Sequence, residues 1–457
     1  MSKKTIDLGA GKISGLLFRL ALPAIIAQLV NVLYNIVDRI FIGRIPNGEI
    51  AMAGVGVAFP IIMIVSAFSA LIGMGGAPIA AIKMGAKEDD EAEKIMSNSF
   101  SMLIIIGAIL TVVFLIFKEP ILYAFGASEA TMPYALDYLE LYLMGTIFVQ
   151  IALGMNPFVN TQGFAKVGMA TVMIGAVINI ILDPIFIFGF GMGVKGAALA
   201  TVCGQLVSAF WVLKFLFGKT STLKIRKKYL VPKLKIVLPI MALGVSPFIM
   251  QGTESLVIIV MNNQLSLYGG DMAIGAMTIM SSVMQIVILP LMGLTQGAQP
   301  IISYNFGANK MDRIKKTFKL LLVCCLSYTG IMWTLLMLVP KVFVLIFNSN
   351  PELVNITTWS IRIYFAGMIL FGAQIACQQT FLALGQAKTS LILALLRKII
   401  LLIPLAYILP KLFEDGLRGV LTAEPVADIL SAVITVICFI VFYKKTLSNK
   451  MTEDVIE

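Results

Sequence analysis

Histidine is absent from all 457 residues. That excludes histidine proton relays and the usual zinc sites. The five cysteines, Cys203, Cys324, Cys325, Cys377 and Cys438, all fall in apolar runs, with neither a metal-binding spacing nor a disulfide framework, so they read as small packing residues. Charge is scarce: 13% of residues are charged against 59% hydrophobic, and mean hydropathy is +0.95. A soluble chain of this length needs far more polar surface. No GxxxxGK[ST] phosphate loop and no HExxH motif occurs, so nothing points to ATP hydrolysis. No nucleophile, metal or phosphate constellation marks an enzyme. No cleavable signal peptide is evident either: the first apolar run, from near Leu16, is too long for one and reads as a membrane span.

What is present is an all-α, polytopic membrane protein. Apolar runs place spans at about 16–43, 50–82, 97–117, 132–155, 164–190 and 196–217, then 236–263, 272–302, 317–340, 355–382, 389–410 and 419–442. The second is expected to be broken by Pro60, Pro78 and the GMGG at 73–76. Residues 1–15 carry Lys3, Lys4 and Lys12 and read as an amphipathic lead-in, and the polar tail occupies 443–457. The basic segment 218–235 divides an N-terminal bundle, 1–217, from a C-terminal bundle and tail, 236–457. The net charge of +11 does not imply nucleic acid. Of the 35 Lys and Arg, 25 lie in, or within four residues of, the termini and even-numbered loops and six in odd-numbered loops. That bias predicts a plasma-membrane protein with both termini in the cytoplasm and lipids as the surrounding partner.

The halves repeat each other. Pro78 pairs with Pro300, Gly85-Ala86 with Gly307-Ala308, and GFAK at 163–166 with GQAK at 385–388, all at an offset of 222 residues. GVKG at 193–196 pairs with GLRG at 416–419 one residue further on, and Pro23 with Pro239. Six spans per half is an even number, so both halves enter the membrane in the same sense. This predicts two six-helix bundles about a pseudo-two-fold axis, with a cavity between them, as in alternating-access carriers.

Asp38 is an acid deep in the first span. An isolated charge there costs at least about 2.5 kcal/mol, so it must pair, bind a cation or carry a proton. Asn179 and Asp183 stand four apart in span 5 and share a helix face. Pro184 loosens that helix, Thr201 adds a hydroxyl in span 6, and Asn156 closes span 4. Two carboxylates, an amide and a hydroxyl suit Na⁺, with Asp38, Asn179, Asp183 and Thr201 as ligands, or a proton shared between the acids. The competing reading is that Asp38 only neutralises Arg39, although adjacent helix residues point apart. Glu254 in span 7 is either a second coupling or substrate-contact group, or a structural one. In span 10, Gln374 and Gln378 either line a wet cavity or hold helices together. Arg362 and Arg397 are expected to meet water, headgroups or carbonyls.

The stretches LALPAIIAQLVNVLYNIVDRIFIG (20–43), AGVGVAFP (53–60), QGFAKVGMATVMIGAVINIILDPIFIFG (162–189), VKGAALATVCGQ (194–205) and QGAQPIISYNFGAN (296–309) together resemble the MATE (multidrug and toxic compound extrusion) family. The resemblance implies two six-helix bundles and export of amphipathic, often cationic, compounds in exchange for H⁺ or Na⁺, without a cofactor, by a chain that works as a monomer. It also implies a DinF-like ion cluster at Asp38, Asn156, Asn179, Asp183 and Thr201. The NorM-like branch has a span 7 glutamate, which matches Glu254. It also has a span 10 aspartate, where this chain offers glutamines. The rival reading is a flippase or exporter of lipid-linked or other amphipathic metabolites. Such a protein is expected to line its cavity with basic residues.

Overall fold

In a bilayer the backbone of an apolar run finds no water and must bond to itself, so such runs become helices. The computed structural model describes residues 7–448. Lys3, Lys4 and the tail from residue 449 lie outside the described residues.

The first half runs α1 (Ile13–Ile42), α2 (Gly48–Gly85), α3 (Asp89–Ile116), a short α4 (Lys118–Ala124), α5 (Met132–Met144), α6 (Thr146–Thr161), α7 (Ala165–Pro184) and α8 (Val194–Leu216). The second runs α9 (Leu234–Gly307), α10 (Met311–Leu338), a short α11 (Pro340–Leu345), α12 (Pro351–Tyr364), α13 (Met368–Ala383), α14 (Ala387–Leu395), α15 (Ile403–Ile408) and α16 (Gly416–Phe442). π-helical turns follow α7 at Ile185–Gly189 and join α14 to α15 at Leu396–Leu402.

Among the described residues nine helices are long and apolar enough to cross a membrane, and the bent pairs α5–α6 and α12–α13 bring the number to eleven. The longest, α9, contains Gly270 at φ 61, ψ −160, a backbone that glycine adopts without a Cβ clash. Its two arms are therefore separate crossings, which gives the expected twelve.

The breaks lie elsewhere than expected. α2 is continuous over 38 residues through Pro60 and Pro78. Its last turns are buried among α3, α6 and α9, and such packing holds a helix across a missing N–H. The bends fall instead at Gly145, 60° between α5 and α6, and at Gly367, 51° between α12 and α13. These glycines are also 222 residues apart, so the bent span is part of the repeat. α6 runs on to Thr161, so Asn156 sits inside span 4 rather than closing it.

Apolar side chains cover the outside as well as the core. Ile105, Ile109, Val112 and Ile116 make an exposed stripe along α3, as do Leu29, Leu33, Ile36 and Ile40 along α1. Such stripes suit a lipid solvent rather than water. Inside, one apolar core is built mainly from residues 257–442, and two others lie mainly within residues 42–225.

The bundles meet where α2 and α1 pack on α9. There a Cβ at Gly85 would collide with the Tyr304 carbonyl, and one at Gly307 with the Ile82 carbonyl. The repeat-related glycine pair thus marks a backbone-to-backbone seam. The segment between the halves is strapped to the first bundle. Arg226 Nε donates to Glu93 at 2.6 Å, Tyr229 Oη to Asp90 at 2.6 Å, and Gln162 Oε1 accepts from Leu223 N at 2.8 Å and Ser221 Oγ at 2.9 Å. The hydrogen bond to Glu93 and its charge hold the Arg226 guanidinium above its ordinary pKa. The lead-in crosses to the second bundle, where Asn305 Nδ2 donates to Leu8 O at 2.9 Å and Lys310 Nζ to Gly9 O at 2.8 Å.

Candidate functional site

α7 brings Asn179 and Asp183 to one buried face, one turn apart, and α8 sets Thr201 against them. The Asn179 amide satisfies both neighbours in one orientation. Its NH₂ donates to Asp183 Oδ2 at 3.3 Å, and its carbonyl accepts from Thr201 N at 3.3 Å and Thr201 Oγ1 at 3.2 Å. Pro184 contributes no N–H to the ladder, and the wider π-helical turn begins just beyond it.

α1, packed on α7, carries Asp38. Asp38 is 8% exposed, and its Oδ1 has no hydrogen-bond partner among the described residues. It lies within electrostatic reach of Asp183, of Tyr34 one turn back on α1, and of Tyr138 on α5. The Arg39 charge is also within electrostatic reach of Asp38, but the two make no ion pair among the described residues, and that guanidinium lies 5.3 Å from the Phe59 ring centroid. A buried carboxylate oxygen without a donor is costly unless a cation or proton reaches it. The oxygens gathered here are hard donors of the kind that take Na⁺ or a proton. Asn179 and the two acids were legible from spacing and depth. Tyr34 and Tyr138 were not singled out. Tyr34 stands four residues before Asp38, a spacing that signals a shared face, whereas Tyr138 gives no such sign.

A cavity of about 230 Å³ opens beside this cluster. Gln28, Asn31, Asn160, Gln205, Gln251 and Gln296 contribute to its walls, and Asn156, Asn179 and Thr201 border it as well. No acidic or basic side chain lines it among the described residues. Asn156 Nδ2 donates to Gly168 O at 3.3 Å, while its buried Oδ1 has no partner. Three residues, Tyr34, Asn179 and Thr201, therefore belong both to the acid cluster and to the cavity wall.

In the second bundle, Glu254 pairs with Lys398 of the π-helical turn. Gln378 Nε2 lies 3.4 Å from Met250 Sδ, and Gln374 is buried with Oε1 unpartnered; neither glutamine is among the cavity-lining residues. Arg362 Nε donates to the Met337 carbonyl at 3.1 Å, as expected. Arg397 is held otherwise. It donates to Asp428 at 2.6 Å and to Glu424 at 2.9 Å, and lies over the Phe371 ring. A guanidinium that is only 14% exposed needs carboxylates, not lipid headgroups. The two α16 acids stand one turn apart, the same spacing that draws attention to Asn179 and Asp183.

Comparison with known proteins adds to this geometry. The MatE family model matches residues 23–185 and again 247–408. A protein of Staphylococcus haemolyticus named multidrug export protein MepA is 29% identical over 434 residues, covering 95% of this chain and 94% of that one. A crystal structure of MATE in the bent conformation superposes with a TM-score of 0.91 at 23% identity, covering 98% of this chain and all of that one. The outward-facing structure of a multidrug resistance MATE family transporter of the MOP superfamily gives 0.90 at 22%, over 98% and 99% of the two chains.

Proposed function

This chain belongs to the MatE family, and from that premise we propose that it is an antiporter that exports amphipathic, often cationic, compounds in exchange for H⁺ or Na⁺. One observation carries the reading. Asn179 and Thr201 line the cavity while Asn179 also bonds Asp183, so cation site and passenger site share a wall. A cation drawn to Asp38 and Asp183 takes up the oxygens of that wall, and whatever reorients Asn179 or Thr201 alters what the passenger meets. Antiport needs such a negative interaction between the two bound species, typically about 1–3 kcal/mol.

The cavity chemistry suits loosely specified passengers. Amides accept and donate without fixing a charge, and apolar side chains such as Met74, Leu153, Met169 and Val172 complete the wall. The cargo of the staphylococcal relatives, by their name, is of the multidrug class. The DinF-like first-half cluster is the favoured coupling site. Glu254 is a weaker candidate, because the Lys398 ammonium already supplies it with a cation. The unit is a monomer of two halves, 1–217 and 236–457, joined by the segment 218–235, with both termini cytoplasmic. The flippase reading expects lysine or arginine in the cavity to meet a lipid phosphate, and the described lining has neither.

The test is transport by the reconstituted protein of several fluorescent organic cations, with a pH gradient and a Na⁺ gradient imposed separately. One gradient is expected to drive accumulation against a concentration difference. Equal, merely downhill fluxes under both would refute antiport.

A further inference from the structure

A second concavity lies at the far end of the other bundle, between the start of α10 and the end of α16. It measures about 480 Å³. Lys315, Lys316 and Lys319 enter it from α10, and Lys444 from a third π-helical turn, Tyr443–Ser448, that continues α16. Its floor is aromatic: Phe318 and Phe439 stack at 4.3 Å between ring centroids. Leu322 and Ile440 extend the apolar surface along the two helices toward the membrane interior. No carboxylate lines it among the described residues.

We propose that this groove binds an anionic phospholipid, its phosphate held by Lys315, Lys319 and Lys444 and an acyl chain laid over Phe439 and Leu322. The place is right. Crossings alternate, so the starts of α9 and α10 and the end of α16 all lie on the face that carries the basic segment 218–233. Lysines at span ends ordinarily snorkel to water, which by itself would be no site. Two features separate these four. They converge on one concavity from two helices. That concavity has an apolar floor continuous with the lipid-facing surface, and no carboxylate among the described residues pairs with its lysines. A monovalent lipid phosphodiester supplies the missing charge and the missing apolar cover together. Basic pockets between helices on the cytoplasmic side recognise lipid headgroups in this way.

The test uses the purified full chain in mild detergent, with native mass spectrometry after addition of phosphatidylglycerol or phosphatidylcholine of the same acyl chains. Wild type is expected to retain phosphatidylglycerol at least tenfold more strongly. Each lysine near a membrane surface contributes roughly fivefold, so Lys315→Gln, Lys319→Gln and Lys444→Gln together should weaken retention about a hundredfold. Arginine at the same three positions should preserve it, as should Lys341→Gln in α11, just past the opposite end of α10. All variants are checked by size-exclusion elution and melting, and a lipid-binding loss without an unfolding loss supports the site. Retention of phosphatidylcholine equal to that of phosphatidylglycerol, or a triple glutamine variant that binds like wild type, overturns it. Phosphatidylglycerol binding that emerges only when the chain is ended at Ser448 would mean that the acidic tail fills the groove, and also overturns it.

Discussion

Replacing Asp183 with asparagine separates charge from shape at the cluster. The Asp183 carboxylate accepts from the Asn179 amide at 3.3 Å and is fully buried. An asparagine carbonyl at 183 keeps that acceptor, so a hydrogen bond worth about 1 kcal/mol survives and the melting temperature should scarcely move. The Asn179 carbonyl still faces Thr201, so the cavity wall is also retained. What disappears is the negative charge that a coupling cation needs. If cation and passenger oppose each other by about 1–3 kcal/mol, losing the cation forfeits roughly 5- to 150-fold in gradient-driven accumulation. The assay is accumulation of a fluorescent organic cation by proteoliposomes under an imposed gradient, beside downhill flux of the same compound without one. Asp183→Asn and Asp38→Asn should lose the first while keeping substrate affinity. Variants that accumulate as wild type does under the same gradient would refute the reasoning.

Other consequences follow from contacts far from the cavity. Arg397→Met leaves Glu424 and Asp428 as buried acids without a counter-charge, and should cost about 3–5 kcal/mol. The melting temperature should drop, and adding Glu424→Gln with Asp428→Asn should restore most of it. Gln162→Leu removes the acceptor of the buried Leu223 N–H, a loss of about 1–3 kcal/mol that should appear as faster amide exchange or proteolysis in 218–233. Gly307→Leu drives a side chain into the Ile82 carbonyl, so the seam between the bundles cannot close as it does here. Spin labels at Glu88 and Asp312 should report a longer distance in that variant, and an unchanged distance would mean that the seam adjusts.

What could be read from the chain, and what could not, divides along a physical line. The twelve crossings were legible because hydrocarbon demands long apolar helices, and the repeat because its glycines and prolines recur at one offset. Asp38 was legible because few acids sit in such a run, and Asn179 with Asp183 because one helical turn puts them on one face. The bends at Gly145 and Gly367 were not legible because a lone glycine in an apolar run carries no sign of a bend, while packing keeps α2 helical through two prolines. Arg397 was misread because its partners lie some thirty residues away on another helix. The spacing of Glu424 and Asp428 held a signal, but only three-dimensional packing says which cation answers it. The amide walls of the cavity come from helices scattered over the chain, from Gln28 to Gln299, and no local pattern gathers them.

The most direct measurement of the central claim is the affinity of purified wild-type protein for an organic cation as pH is lowered or Na⁺ is raised. Protons or Na⁺ that fill the Asp38–Asp183 cluster should weaken that affinity by roughly 5- to 150-fold, with the loss abolished in Asp183→Asn. An affinity that is indifferent to both ions in the wild-type protein would contradict a shared wall between cation and passenger.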